Sequence, residues 1–145
     1  HVRNYLTIQI IRYQDKFSYS LDIDPAMAGM KVMKLILQPL VENAIQHGVG
    51  DDDGHITITG SIENGFMVFR VCNTGYGIPD SKIAMMYESM RGGSGHPSVG
   101  MRNVYQRLNL YYGDKADIVI SSVQDESTTI TVMIPEDGPE GRQPA

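Results

Sequence analysis

The sequence predicts an α+β domain, a two-layer sandwich in which a mixed, largely antiparallel sheet is covered on one face by about three helices. Two observations carry this. Segments that alternate apolar and polar residues come mostly in pairs joined by short turns, and stretches with helical apolar spacing stand between them, in the order helix, strand, helix, hairpin, helix, helix, hairpin. The length of 145 residues suits one domain with a real core, and no internal repeat divides it.

The elements follow in order. Val2, Leu6, Ile10 and Tyr13 recur near helical spacing, so residues 1–15 read as a helix or linker entering from an upstream domain. Residues 17–23 alternate as a strand that Asp24-Pro25 ends. From Val32 to His47 the pattern is helical, with Leu37, Leu40, Val41, Ala44 and Ile45 on one face; Pro39 fits only the first turn of the main helix, and Gly48 stops it. Strands over His55–Glu63 and Phe66–Cys72 flank Asn64-Gly65, a tight-turn signal. A glycine-containing loop, Asn73–Pro79, leads to Asp80 as the cap of a helix over residues 81–89. A second loop, residues 91–98, runs into a helix capped by Ser98, with Met101, Val104, Leu108 and Tyr111 as its apolar stripe and Gly113 as its end. Ile118–Val123 and Thr128–Ile134 form the last hairpin around Asp-Glu-Ser, and the Gly- and Pro-rich residues 136–145 read as a disordered tail.

Composition narrows the function. The net charge of −5 offers no basic face for nucleic acid, although backbone amides and a metal ion hold phosphates without one. The single cysteine, Cys72, permits neither an internal disulfide nor a cysteine metal cluster. No stretch approaches the ~20 apolar residues of a membrane span, so no membrane contact is expected of this domain.

Three segments carry candidate chemistry. In Glu42-Asn43-Ala44-Ile45-Gln46-His47-Gly48, Asn43 and His47 stand one turn apart on a helix face; an amide oxygen suits Mg²⁺ and an imidazole suits phosphate. Taken alone, the pair reads equally well as a surface asparagine and a histidine at a helix C-terminus. Asn73-Thr74-Gly75-Tyr76-Gly77-Ile78 follows a strand, where glycines let a ligand approach and a polar side chain reads a base edge; alone it is an ordinary turn. Gly92-Gly93-Ser94-Gly95-His96-Pro97-Ser98-Val99-Gly100-Met101-Arg102-Asn103 is a glycine-rich loop that opens a helix, whose free N–H groups suit phosphates; alone it is a linker and a capped helix. It is neither a P-loop, since it lacks Gly-Lys-Ser/Thr, nor a dinucleotide fingerprint, since no βαβ unit surrounds it.

In this order and spacing the segments resemble the nucleotide-binding boxes of the family that contains histidine kinases, gyrase B, Hsp90 and MutL. Glu42-Asn43-Ala44 through His47 resembles the N box, Asn73–Ile78 the first glycine box, and Ser98–Met101 with Arg102-Asn103-Val104 and Arg107-Leu108 the second. Ser127–Pro135 is similar to the closing strand. Leu37-Gln38-Pro39-Leu40-Val41-Glu42-Asn43-Ala44-Ile45, His47-Gly48, Gly100–Val104 and Tyr111-Tyr112-Gly113-Asp114 resemble the YesM/LytS type of sensor histidine kinase, and the likeness spans the chain to Pro135.

The resemblance implies a Bergerat-type ATP site over residues 16–135, with ATP and Mg²⁺ as ligands. Asn43 would hold Mg²⁺, and His47 would line the phosphate side. Asn73 and Thr128 would face adenine, beside Gly75, Gly77 and Ile78. Residues 91–100, Gly95 among them, would form the lid, and the amides around Gly100, Met101, Arg102 and Asn103 would hold phosphates. It also implies a cytoplasmic domain of a homodimeric plasma-membrane (inner-membrane) sensor kinase, partnered by an upstream phosphoacceptor helical domain and by a response regulator. None of His1, His47, His55 and His96 lies in the Pro-His-Phe context of the phosphoacceptor, so this chain alone is not expected to phosphorylate itself.

The sequence departs from the family pattern in three places: Asn73 stands where Asp is usual, Ser98 where Gly is common, and Ser127 where Gly precedes the closing-strand threonine. At Asn73 a charge-assisted hydrogen bond to the adenine amino group is lost. Two other functions compete: an ATP-hydrolysing member of the same family, and a degenerate docking module. Glu42 is a weak candidate for catalysis, because the hydrolysing branch carries its Glu four residues before the Asn, where Pro39 stands. The nine methionines read as core filler, with Met85, Met86 and Met90 able to adapt to a partner helix.

Overall fold

Five strands form one sheet in the computed structural model, which describes residues 8, 17–25, 39–45, 54–75, 77–90 and 99–135. They are β1 (Phe17–Ile23), β2 (Gly54–Glu63), β3 (Phe66–Thr74), β4 (Asp117–Val123) and β5 (Ser127–Pro135), in the spatial order β1-β2-β3-β5-β4. Only β1–β2 is parallel; the other three pairings are antiparallel. The helices are α1, described over residues 39–45, α2 (Asp80–Met90) and α3 (Val99–Tyr112), followed by a 3₁₀ turn at Gly113–Lys115. Ile8 is helical, and the remainder of the expected entering segment, the expected tail, the stretch before Pro39 and the loop at 91–98 lie outside the described residues.

Period-two alternation does what the sequence implies. Register aligns the inward side chains into rows: Leu21-Ile58-Val71-Ile130-Ile120, then Ile23-Gly60-Phe69-Val132-Ile118, then Ile62-Met67-Ile134. Against them pack Leu40, Val41, Ala44 and Ile45 of α1, Met90 of α2, and Val104, Leu108 and Tyr112 of α3, in one buried cluster. Tyr112 thus extends the expected stripe of α3 by one further position, and burial pushes its phenol pKa above the ordinary tyrosine value.

The opposite sheet face is mixed and carries a polar cluster at the β1 edge. There the His55 ring bonds to Ser18 Oγ through Nδ1 at 2.7 Å and to Ser20 Oγ through Nε2 at 2.9 Å, fastening the parallel edge strand β1. At the other edge, the Tyr87 hydroxyl of α2 accepts from the Ile120 amide at 2.6 Å, so part of the open backbone of β4 is covered.

The turns show where local chemistry wins. Asn64 and Gly65 have φ of 52° and 83°, the left-handed pair that matches strand twist in a two-residue hairpin. Strand β3 runs two residues further than the sequence pattern implies, to Thr74, because β5 continues to pair with Asn73 and Thr74. In the last hairpin Ser127 belongs to β5, opposite Val123; the turn is Gln124-Asp125-Glu126, closed by Glu126 N donating to Val123 O at 3.0 Å. Helix α2 begins at Asp80, and it is the Pro79 carbonyl that accepts the first amides, from Lys82 at 2.9 Å and Ile83 at 3.0 Å. Pro79 therefore occupies the cap position expected of Asp80, whose charge instead lies in the first turn and favours the helix N-terminus. Gly113, at φ 57°, ends α3 as expected.

The loop after β3 folds back over β4. Gly75 N donates to Glu126 O at 3.1 Å and Ile78 N to Ser122 Oγ at 2.7 Å. Between them Gly77 has φ +81°, and a Cβ there would stand 2.7 Å from Ser122 Oγ and 2.9 Å from Val123 O. No other residue fits both the dihedral and the space.

Two outcomes follow in urea denaturation. Phe69→Ala, at the centre of the core, is expected to lose about 3–5 kcal/mol. Gly77→Ala is expected to lose about 1–3 kcal/mol through strain and displacement of the loop from Ser122. A Gly77→Ala variant as stable as the parent would show that the loop does not pack as described.

Candidate functional site

The sheet's inner face carries a fourth row, Tyr19-Ile56-Asn73-Thr128-Ser122, at the end where β3 leaves the sheet. Three of its five residues are polar. Asn73 is 5% exposed and Thr128 is 4% exposed. Both sit where the parity of their strands otherwise demands apolar residues, so their burial needs compensation.

Part of that compensation is local. Asn73 Nδ2 donates to its neighbour's carbonyl, Thr74 O, at 3.3 Å. Ser122 Oγ accepts from Ile78 N at 2.7 Å, donates to Ser127 O at 3.0 Å and lies 3.2 Å from Thr128 Oγ1. Two strands and the glycine loop thereby converge on one hydroxyl. A cleft of about 670 Å³ opens beside it, lined by Gly77, Ile78, Pro79, Asp80, Ser122, Gln124 and Asp125. Of these, Gly77 and Ile78 were expected at a site and Ser122 was not. Its signal in the sequence was parity: Ile118, Ile120 and Ser122 share a face, and only the last is polar.

A second polar group lies on the helices of the same face. Asn43 is 3% exposed on α1, among the buried Leu40, Val41, Ala44 and Ile45. Its Oδ1 has no hydrogen-bond partner among the described residues. A buried amide oxygen without a partner costs about 1–3 kcal/mol. That oxygen is a hard donor of the kind that suits a divalent cation such as Mg²⁺. Glu42, next to it, is half-buried.

The second glycine segment is only partly within the described residues. Gly100 and Met101 lie in the first turn of α3, while His47 and Gly95 lie outside. Arg102 reaches back to the end of α2, donating from Nη2 to Ser89 O at 3.4 Å, and its buried Nε has no partner among the described residues. Asn103 faces outward with Gln106, Arg107 and Leu110 around a shallow hollow of about 310 Å³. The first of these arginines thus ties two helices, and the Asn103 side chain is on the solvent side of α3. Gly75 is half-buried at the strand end, between Asn73 and the loop.

The chain is 32% identical over 136 residues to the sensor histidine kinase YesM of Bacillus subtilis, covering 92% of this chain and 22% of that protein. It is 26% identical to the sensor protein kinase HptS of Staphylococcus aureus, covering 93% of this chain and 26% of that protein. The chain thus spans about a quarter of the length of these relatives or less. Among solved structures, the catalytic domain of the histidine kinase ThkA superposes with TM-score 0.72 at 18% identity, covering 94% of this chain and 90% of that one. The histidine kinase domain of a blue-light activated kinase from Erythrobacter litoralis gives 0.64 at 20% identity, covering 92% of this chain and 63% of that one. These likenesses are to the fold, and they bear out the expected helix-covered, largely antiparallel sheet. A family model, histidine kinase-, DNA gyrase B-, and HSP90-like ATPase, matches residues 31–138, most of the chain, and the protein belongs to that family.

Proposed function

We propose that this chain binds Mg-ATP and is the catalytic domain of a sensor histidine kinase that passes the γ-phosphoryl group to a histidine on a separate helical domain. The observation that carries the proposal is the buried Asn43 Oδ1, unpartnered among the described residues, on a helix that packs on the same sheet face as Asn73 and Thr128. An oxygen ligand and a base-reading row on one face are what a metal-bound nucleotide needs.

In this reading Asn43 would hold Mg²⁺, which neutralises charge on the phosphates, with His47 on the phosphate side. Asn73 and Thr128 read the base; Gly75, Gly77 and Ile78 present backbone to it. Gly95, Gly100, Met101, Arg102 and Asn103 belong to the phosphate side, where Arg102 is positioned through α2 and the backbone amides at the start of α3 are the contacting groups. Transfer breaks the bond between the β,γ-bridging oxygen and the γ-phosphorus, forms a phosphorus–nitrogen bond on the acceptor imidazole and releases ADP. The protein supplies position and charge neutralisation. The acceptor domain, a response regulator and a homodimeric membrane-bound parent complete the proposed setting.

The hydrolysing reading requires a carboxylate to activate water, and Glu42 is the weak candidate. Pro39, one helical turn before Asn43, supplies none, which favours transfer over hydrolysis.

Calorimetry tests the proposal. The chain is expected to bind Mg-ATP, and Asn43→Ala to weaken that binding by at least about tenfold while changing Mg-free ATP binding by less than about threefold. Equal losses would refute the metal role. No binding at millimolar ATP would leave the docking-module reading, and hydrolysis without a helical domain would favour the ATPase.

A further inference from the structure

We propose that the purine end of this site accepts 6-oxo purine nucleotides as well as 6-amino ones. The inference rests on the nucleotide-site reading above and extends it to the class of base.

Every group that faces the base in that reading is neutral and reversible. Asn73 is buried, and its carboxamide carries an acceptor and a donor side by side. One Nδ2 hydrogen serves Thr74 O across a long 3.3 Å contact, leaving the second hydrogen and Oδ1 for a ligand. Against adenine, Oδ1 accepts from the 6-amino group and Nδ2 donates to ring N1. Against hypoxanthine, the turned amide donates from Nδ2 to the 6-oxo group and accepts the N1 proton on Oδ1. Both arrangements are bidentate. The turn gives up the weak bond to Thr74 O and brings Oδ1 towards that carbonyl oxygen, a modest cost that leaves some preference for the 6-amino base.

The hydroxyls beside it switch in the same way. When Ser122 donates to Ser127 O, Thr128 donates across the 3.2 Å contact and keeps its lone pairs for a donor on the base. When Ser122 instead donates to Thr128, the Thr128 proton is free for an acceptor on the base. In both states the Ser122 oxygen keeps the Ile78 amide at 2.7 Å, so the loop does not move. A carboxylate at position 73 would have neither choice: it only accepts, it repels a 6-oxo oxygen, and it rewards the 6-amino group with a charge-assisted bond. Asn73 thus removes the one fixed sign from the base-reading row.

The experiment is titration calorimetry of this chain with Mg-ATP and with Mg-inosine triphosphate, which differs from ATP at the 6 position and N1 alone. The parent chain is expected to prefer ATP by no more than about tenfold, the value of one weak hydrogen bond. Asn73→Asp is expected to widen that ratio by at least a further tenfold or so, mainly by losing the inosine nucleotide. A preference for ATP beyond about tenfold in the parent overturns the inference, as does an unchanged ratio in Asn73→Asp. If the buried carboxylate prevents folding, the parent ratio alone decides. Failure to bind either nucleotide overturns the site reading itself and not merely its breadth.

Discussion

One hydroxyl ties together the polar end of the sheet. Ser122 Oγ receives the Ile78 amide, gives its proton to Ser127 O and touches Thr128 Oγ1, all within 3.2 Å. Without it the loop after β3 would have no fixed height above the sheet, and Gly77 would have no reason to approach β4 so closely. The apolar rows beneath do not depend on this contact, but the positions of Gly77 and Ile78 do.

The division of labour along the sheet follows from burial. Three rows of Ile, Val, Leu, Phe and Met exclude water and hold three helices. The fourth row is polar and lies at the end from which the loop departs, where Ser122 borders a cleft and Asn73 and Thr128 are buried beside it. One cost is left on the same sheet face: Asn43 Oδ1 without a partner among the described residues. Local costs of this kind cluster where a ligand relieves them. The opposite face shows the contrast, since its polar groups are matched: Arg70 and Ser61 both donate to Glu63 and hold its carboxyl below the ordinary range.

Much of this was legible in the sequence. Alternation fixed which side chains point inward, and Asn64-Gly65 fixed the central hairpin. Boxes at the right intervals singled out Asn43, Asn73 and Thr128 as candidates, and the fold buries all three. What escaped was set by partners distant in sequence. The end of β3 depends on β5 continuing to pair with it, 53 to 55 residues on, at Asn73↔Thr128 and Thr74↔Ser127. Pro79 replaced Asp80 at the helix cap because the loop delivers its carbonyl, and not the Asp side chain, to the first amides. Arg102 found a carbonyl at the end of another helix. Ser122 looked like a strand residue of no consequence until the fold set it beside Ile78 and Thr128.

The central claim is that the polar row and Asn43 form one ligand site. Backbone amide chemical shifts, followed by NMR as Mg-ATP is added to the chain, test it most directly. The account predicts saturable shifts concentrated at Asn43, Asn73, Gly75, Gly77, Ile78, Ser122 and Thr128, with the far end of the central hairpin around Asn64 and Gly65 unmoved. Shifts centred on that hairpin or on the His55 face, with the row silent, would contradict it.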